Sequence, residues 1–148
     1  MNPAFAFALA AAFVGGSLIA LQAPTNALLA RGAGSAVNAA LVSFVVGTAA
    51  LLVAAVALGA RPGMSEVKAL PWYAWTGGFY GAVFVAVAAF AAPRMGVTYF
   101  LTMAIAGQLA MALLLDALGA FGLARVEISP TRIAGILLVL AGAWLVRR

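Results

Sequence analysis

The sequence contains no cysteine and no histidine. Their absence excludes disulfides, Cys/His metal sites, thiol nucleophiles and the commonest general base. Charge is almost as scarce. Of 148 residues, 3 are acidic and 8 are basic, so only 7% are charged. Soluble domains carry roughly 25%. With three carboxylates and no histidine, no catalytic constellation can be assembled, and neither an enzyme nor a bound metal or cofactor is expected. The net charge of +5 comes from scattered residues rather than a cluster. They read as anchors at membrane edges, not as a surface for nucleic acid.

What remains is 67% hydrophobic. A water-soluble core of this length could not use so much apolar surface, so the expected partner is the lipid bilayer. The first apolar run has no positive n-region and is too long for a signal peptide, so a retained span is expected there. Charges and turn residues divide the chain into five runs, at about residues 3–21, 35–58, 70–92, 97–118 and 130–146. Each can cross a core of ~30 Å at about 1.5 Å per residue. Read through a kink at Pro24, the first run reaches Ala30. Arg61-Pro62-Gly63 separates the second from the third. Trp72, Tyr73 and Trp75 open the third in an aromatic belt, and Pro93 ends it. Ser129-Pro130 suits an N-cap followed by proline in the first turn. Trp144, Arg147 and Arg148 close the fifth at the opposite interface. The expected fold is all-α and integral to the membrane: one domain, residues 1–148, of five transmembrane helices with short loops.

Five spans put the termini on opposite sides. Arg61, Lys68, Arg125 and Arg132 then face Arg31, Arg94, Arg147 and Arg148, four against four. The excess of positive charge that fixes orientation is missing. One reading is insertion in both orientations, with antiparallel pairing of two copies. The other is orientation set by a partner or by weak local cues. Small residues recur at helical spacing: Ala74, Gly78, Ala82 and Ala86 in the third span, Ala39, Ser43 and Gly47 in the second, and Gly135 and Gly142 in the fifth. Such stripes let helices approach closely in lipid, so Gly78, Gly135 and Gly142 are candidates for helix or dimer packing.

Polar residues within these runs are the candidate functional groups. Gln22 and Asn26 are four apart and share a helix face, beside Pro24, which removes a backbone donor. Inside the bilayer that face must look at protein or water, and Asn38 and Ser43 could meet it from the second span. These residues form either a polar wall of a substrate path or a capped helix end at the interface. Gln108 stands near the middle of the fourth span, on a stripe with Ala104, Ala112 and Asp116. A mid-span glutamine needs partners. In an antiparallel pair only residues near the midplane meet their own copies, so Gln108 could face a shared site; it could equally be interhelical glue. Asp116, about 12 Å further along the helix, reads as a gate or coupling-ion residue paired with Arg125, or as an interfacial anchor. Tyr73, Thr76, Tyr80 and Phe84 form a broad stripe, of which Tyr80 is the better candidate to line a pocket. Tyr99 and Thr102 are weaker candidates of the same kind.

Four segments carry a resemblance: "LQAPTNALLARGAGSAVNAALVSFVVGTAALL", "WYAWTGGFYGA", "GQLAMALLLDALGAFG" and "RIAGILLVLAGAWL". Together they resemble the small YdcZ-like family of the drug/metabolite transporter superfamily, over nearly the whole chain. The resemblance implies a five-helix half-transporter of the bacterial inner membrane. Two copies, or two paralogues, would assemble head to tail into a ten-helix transporter of a small-molecule substrate. A homodimer and a heterodimer are both open. The last span is also similar, more distantly, to the dimerising helix of small multidrug resistance proteins, with Gly135 and Gly142 in matching places. Those proteins carry a glutamate in the first helix, and the first span here has no acidic residue. Their proton-coupled export of cationic drugs therefore does not carry over. The sequence thus points to a secondary transporter, with an exporter implied by the family. The competing reading is a non-transporting subunit of a larger membrane complex.

Overall fold

The computed structural model describes residues 2–61 and 63–146, and all regular structure among them is helical. Pro62 of the expected turn and the terminal Arg147 and Arg148 lie outside the described residues. In chain order the helices are α1 (Pro3–Ala33), α2 (Ala36–Ala57), α3 (Met64–Lys68), α4 (Gly77–Met95), α5 (Val97–Leu118) and α6 (Pro130–Val146), with a 3-10 turn at Trp72–Thr76 leading into α4. α1, α2, α5 and the Trp72–Met95 segment are long and apolar enough to cross a bilayer. α6 is apolar but has 17 residues, the lower end of the usual spanning length.

The chain divides into two compact units, residues 1–93 and 94–148. In the first, α1 and α2 pack as a hairpin. Asn2 starts α1 by accepting the Ala4 N–H at 3.0 Å. The helix continues through Pro24 to Ala33, further than the expected end at Ala30. Two residues turn the chain. Gly34 is left-handed at φ 82°, a conformation that costs glycine nothing. Ser35 then caps α2, its Oγ accepting the Asn38 N–H at 3.0 Å.

The packed residues of this unit are small. Ala23, Ala27, Ala39, Ala40, Ala88, Ala89 and Ala92 are buried, together with Val85. The large side chains point outward: Phe7, Phe13, Leu51, Leu52 and Val53 are all exposed. This is the inverse of a soluble domain and is what lipid as solvent requires. The buried face of α4 is Val85, Ala88, Ala89 and Ala92, not the expected stripe, of which Ala74 and Gly78 are exposed. Gly81 is the glycine that permits a close approach. A Cβ there would lie 3.2 Å from Cζ of Phe44 on α2.

Pro93 does not end the third span as expected; α4 runs on to Met95. A proline breaks a helix through its missing N–H and its clash with the preceding turn, and here only Arg94 and Met95 remain beyond it. The turn between α2 and α4 also holds the short α3. There Glu66 is fully exposed, and its own backbone N–H, then the Ser65 hydroxyl, hold its carboxyl below the usual carboxylate range.

In the second unit, α5 and α6 pack together, with Phe100, Ala106 and Ala143 buried. The loop between them folds back on the end of α5. The Gly119 and Val126 N–H groups both donate to the Asp116 carbonyl, at 3.2 and 2.9 Å. The Arg125 Nε donates to the Ala117 carbonyl at 2.8 Å. A cation is thereby placed at the negative end of a helix dipole. At the start of α6, the Ser129 Oγ accepts the Arg132 N–H at 3.3 Å, as the cap reading expects.

Candidate functional site

Polar side chains in the membrane helices gather in two places, one in each unit. In the first unit, a cleft of about 380 Å³ opens between α1 and α2. It is lined by Thr25, Asn26, Leu28, Leu29, Val42, Ser43 and Val46. Hairpin geometry explains the meeting. The chain turns at Gly34 and Ser35, so Asn26, eight residues before Gly34, lies level with Ser43, eight residues after Ser35. At 1.5 Å per residue both stand about 12 Å along their helices from the turn.

Asn26 is 4% exposed, and its Nδ2 is buried with no hydrogen-bond partner among the described residues. The other helix polar groups mostly satisfy themselves. Thr25 donates to the Leu21 and Gln22 carbonyls at 3.1 and 2.9 Å, beside the gap in the ladder that Pro24 leaves. Ser17 and Thr102 donate to the carbonyls four residues back. Gln22 lies on an adjoining cleft of about 440 Å³ with Leu18, Ile19, Leu21 and Thr25. Thr25 belongs to both clefts, so the polar face of α1 is continuous from Gln22 to Asn26. Asn38 sits apart from it. Its Nδ2 donates to the Ala33 carbonyl at 2.7 Å, closing the end of α1 at the turn.

In the second unit, a cleft of about 370 Å³ is lined by Leu109, Ala112, Leu113, Asp116, Arg132, Gly135 and Ile136. Arg132 Nη1 donates to Asp116 Oδ2 at 3.0 Å, with the side chains 40% and 36% exposed respectively. The expected pairing of Asp116 with Arg125 is therefore corrected. Arg125 binds the end of α5 through the Ala117 carbonyl, and the carboxylate takes Arg132. Both partners stand two residues inside their helix ends, Leu118 and Pro130, which makes them level. Arg132 was legible in the sequence only as a flanking charge.

Gln108 is at the middle of α5, exposed. Tyr80 is 63% exposed on α4, edge-on to Phe79 with ring centroids 6.1 Å apart. Neither belongs to the clefts described. A Cβ added at Gly78, Gly135 or Gly142 would meet nothing within 4 Å. Among the described residues no neighbour therefore stands against these positions, and Gly135 forms part of the wall of the α5–α6 cleft. Among the described residues no group of three or more His, Cys, Asp or Glu could hold a metal ion.

An all-helical chain with apolar side chains outward, alanines inward and amides in intramembrane clefts is a polytopic membrane protein. Its particular family follows from comparison. The model of the family described as "Putative inner membrane exporter, YdcZ" matches residues 7–145, and the chain belongs to that family. It is a multi-pass inner membrane protein of an exporter family, a transporter class rather than an enzyme class. No curated protein and no solved structure matches the chain.

Proposed function

We propose that the protein is a secondary exporter of a small polar or amphipathic metabolite, working by alternating access in an antiparallel dimer. The observation that carries this reading is Asn26. An amide donor 96% buried without a partner is costly in an apolar medium. It is kept beside a cleft of a size that holds small ligands. A subunit whose amides only glued helices together would use that donor in a helix contact.

On this reading Gln22, Asn26 and Ser43 form one wall of the path. Asn38 closes the turn of the same hairpin, and Tyr80 of α4 and Gln108 of α5 are further candidate path residues, each in its own unit. α6 makes the fifth crossing, so that the whole chain is one five-helix domain and two copies form ten helices. Inverted repeats with a binding site near the midplane are a common transporter plan. In such a pair the two copies of Asp116 guard opposite faces, each held by Arg132. The open glycines of α4 and α6, Gly78, Gly135 and Gly142, are then available to the second copy. A paralogue of opposite orientation would serve in place of that copy.

Efflux from proteoliposomes, measured over a panel of labelled polar metabolites, tests the reading. Asn26→Leu and Gln108→Leu variants that assemble normally should lose at least about tenfold of the flux of any exported compound, as expected when one buried polar contact is removed from a binding site. Normal flux in both would remove these residues from the path. Absence of flux across the panel, with the protein constitutively bound to a larger complex, would favour the subunit reading.

A further inference from the structure

The α1–α2 cleft has a chemistry of its own, and we infer that it recognises an uncharged hydrogen-bonding group, a carboxamide or a close relative, carried on a short alkyl body. The inference rests on reading this cleft as part of the export path.

Three observations lead to it. The first is that no charged side chain lines the cleft or the adjoining one at Gln22. The nearest charge along α1 is Arg31, five residues nearer the turn. A ligand charge brought to the level of Asn26 would find no counter-ion in the lining, at a depth where unpaired charge is strongly disfavoured. The α5–α6 cleft is the contrast, since Asp116 and Arg132 stand in its wall.

Secondly, the Asn26 Nδ2 has no hydrogen-bond partner among the described residues and almost no accessible surface, so a ligand in the cleft that Asn26 lines meets it by a turn of the side chain. An asparagine side chain offers two donors and an acceptor. A carboxamide is complementary to it in both directions, its carbonyl accepting from Nδ2 and its N–H donating to Oδ1. Level with Asn26, Ser43 supplies a hydroxyl that can donate or accept. It makes no bond to the carbonyl four residues back, unlike Ser17, Thr25 and Thr102.

The rest of the lining is Leu28, Leu29, Val42 and Val46, with the Thr25 hydroxyl already spent on its own helix. These side chains suit an alkyl body of a few carbons. A cleft of about 380 Å³ holds such a molecule.

The chain has three asparagines, Asn2, Asn26 and Asn38, which makes a direct readout available. Full-length protein labelled with 15N only in asparagine is placed in lipid nanodiscs. Its side-chain amide signals are assigned by subtraction with Asn2→Ser and Asn38→Ser. Hexanamide is then titrated against hexanoate and hexylammonium. The expected result is a saturable shift of the Asn26 pair alone by hexanamide. The charged analogues should bind at least about tenfold more weakly, as when a polar site meets the wrong group. Ser43→Ala should weaken hexanamide several-fold, and this variant removes one hydroxyl without disturbing α1. An Asn26 signal that does not move, an equal response to the charged analogues, or an unsaturable drift of all three asparagines overturns the assignment. Efflux of the same amide from vesicles separates the two readings. Saturable binding without efflux removes transport and leaves the site. Efflux with an unmoved Asn26 removes the site and leaves transport.

Discussion

Replacing Asn26 with leucine should stabilise the protein while lowering its flux at least about tenfold. The side chain is 4% exposed and its Nδ2 has no partner. A buried unsatisfied donor costs about 1–3 kcal/mol. The reference state reduces the gain, because α1 inserted alone in lipid carries the same amide and finds some partners for it. Overpacking could reduce it further, but the cleft of about 380 Å³ beside the residue leaves room for a longer side chain. The expected net effect is a gain of about 1 kcal/mol, roughly a fivefold shift in the unfolding equilibrium. Reversible unfolding in mixed micelles, titrated with denaturing detergent, measures it for wild type and Asn26→Leu side by side. Export should fall in the same variant. A loss of stability of 1 kcal/mol or more would refute the reasoning. It would mean that the amide is hydrogen-bonded in the membrane and belongs to the helix contact, not to a ligand.

Other consequences follow from the same geometry. The Asp116–Arg132 pair is about two-fifths exposed, so a double-mutant cycle with Asp116→Asn and Arg132→Gln should give a coupling of about 0.5–1 kcal/mol that shrinks in high salt. A larger coupling between Asp116 and Arg125 would contradict the pairing described. Gly81→Leu should destabilise the first unit by about 1–3 kcal/mol, since even a Cβ would stand 3.2 Å from the Phe44 ring. Phe44→Ala should restore part of that loss, and no restoration would place the strain elsewhere. The antiparallel homodimer predicts that a cysteine at Ala69, exposed between α2 and α4, is labelled by an impermeant thiol reagent in about half of the molecules of intact cells, as two equally populated orientations require when the bias of positive charge is absent. Labelling from one side only would leave the heterodimer with a paralogue.

Where the spans lie was legible because their limits are set by local chemistry. α5 and α6 fall on the expected residues 97–118 and 130–146, bounded by Gly96 and by Ser129-Pro130. α1 and α4 both run past their expected ends. At each of those ends the reading relied on a helix stopping near a proline or an arginine. Helices at a membrane interface need not stop there, since their last carbonyls can reach water or, as at Ala33, a side chain such as Asn38. The face by which α4 is buried was misread for a different reason. Its stripe of small residues at intervals of four was the strongest local signal, but a stripe says that helices can approach, not that a helix of the same chain does so. The buried face is instead made of alanines and one valine that, read singly, look no different from lipid-facing residues.

The meeting of Asn26 with Ser43 was legible in the sequence, and the pairing of Asp116 with Arg132 was not. The same counting rule accounts for both once the helix ends are fixed. Distance from the turn places Asn26 opposite Ser43, eight residues in, and Asp116 opposite Arg132, two residues in. The difference in depth then sorts the chemistry. Two residues from a helix end, a charged pair keeps about two-fifths of its surface open and can remain ionised. At about 12 Å from the turn, by helical rise, a charge would be prohibitive, and the chain places a neutral amide there without a protein partner. A binding free energy has the largest effect where the empty protein is least satisfied, because the ligand then replaces a missing hydrogen bond instead of competing with an existing one. Asp116 and Arg132 already hold each other, and a ligand there would have to separate them. The Asn26 Nδ2 has no partner among the described residues, which is why recognition is expected in the α1–α2 cleft and gating at the end of α5.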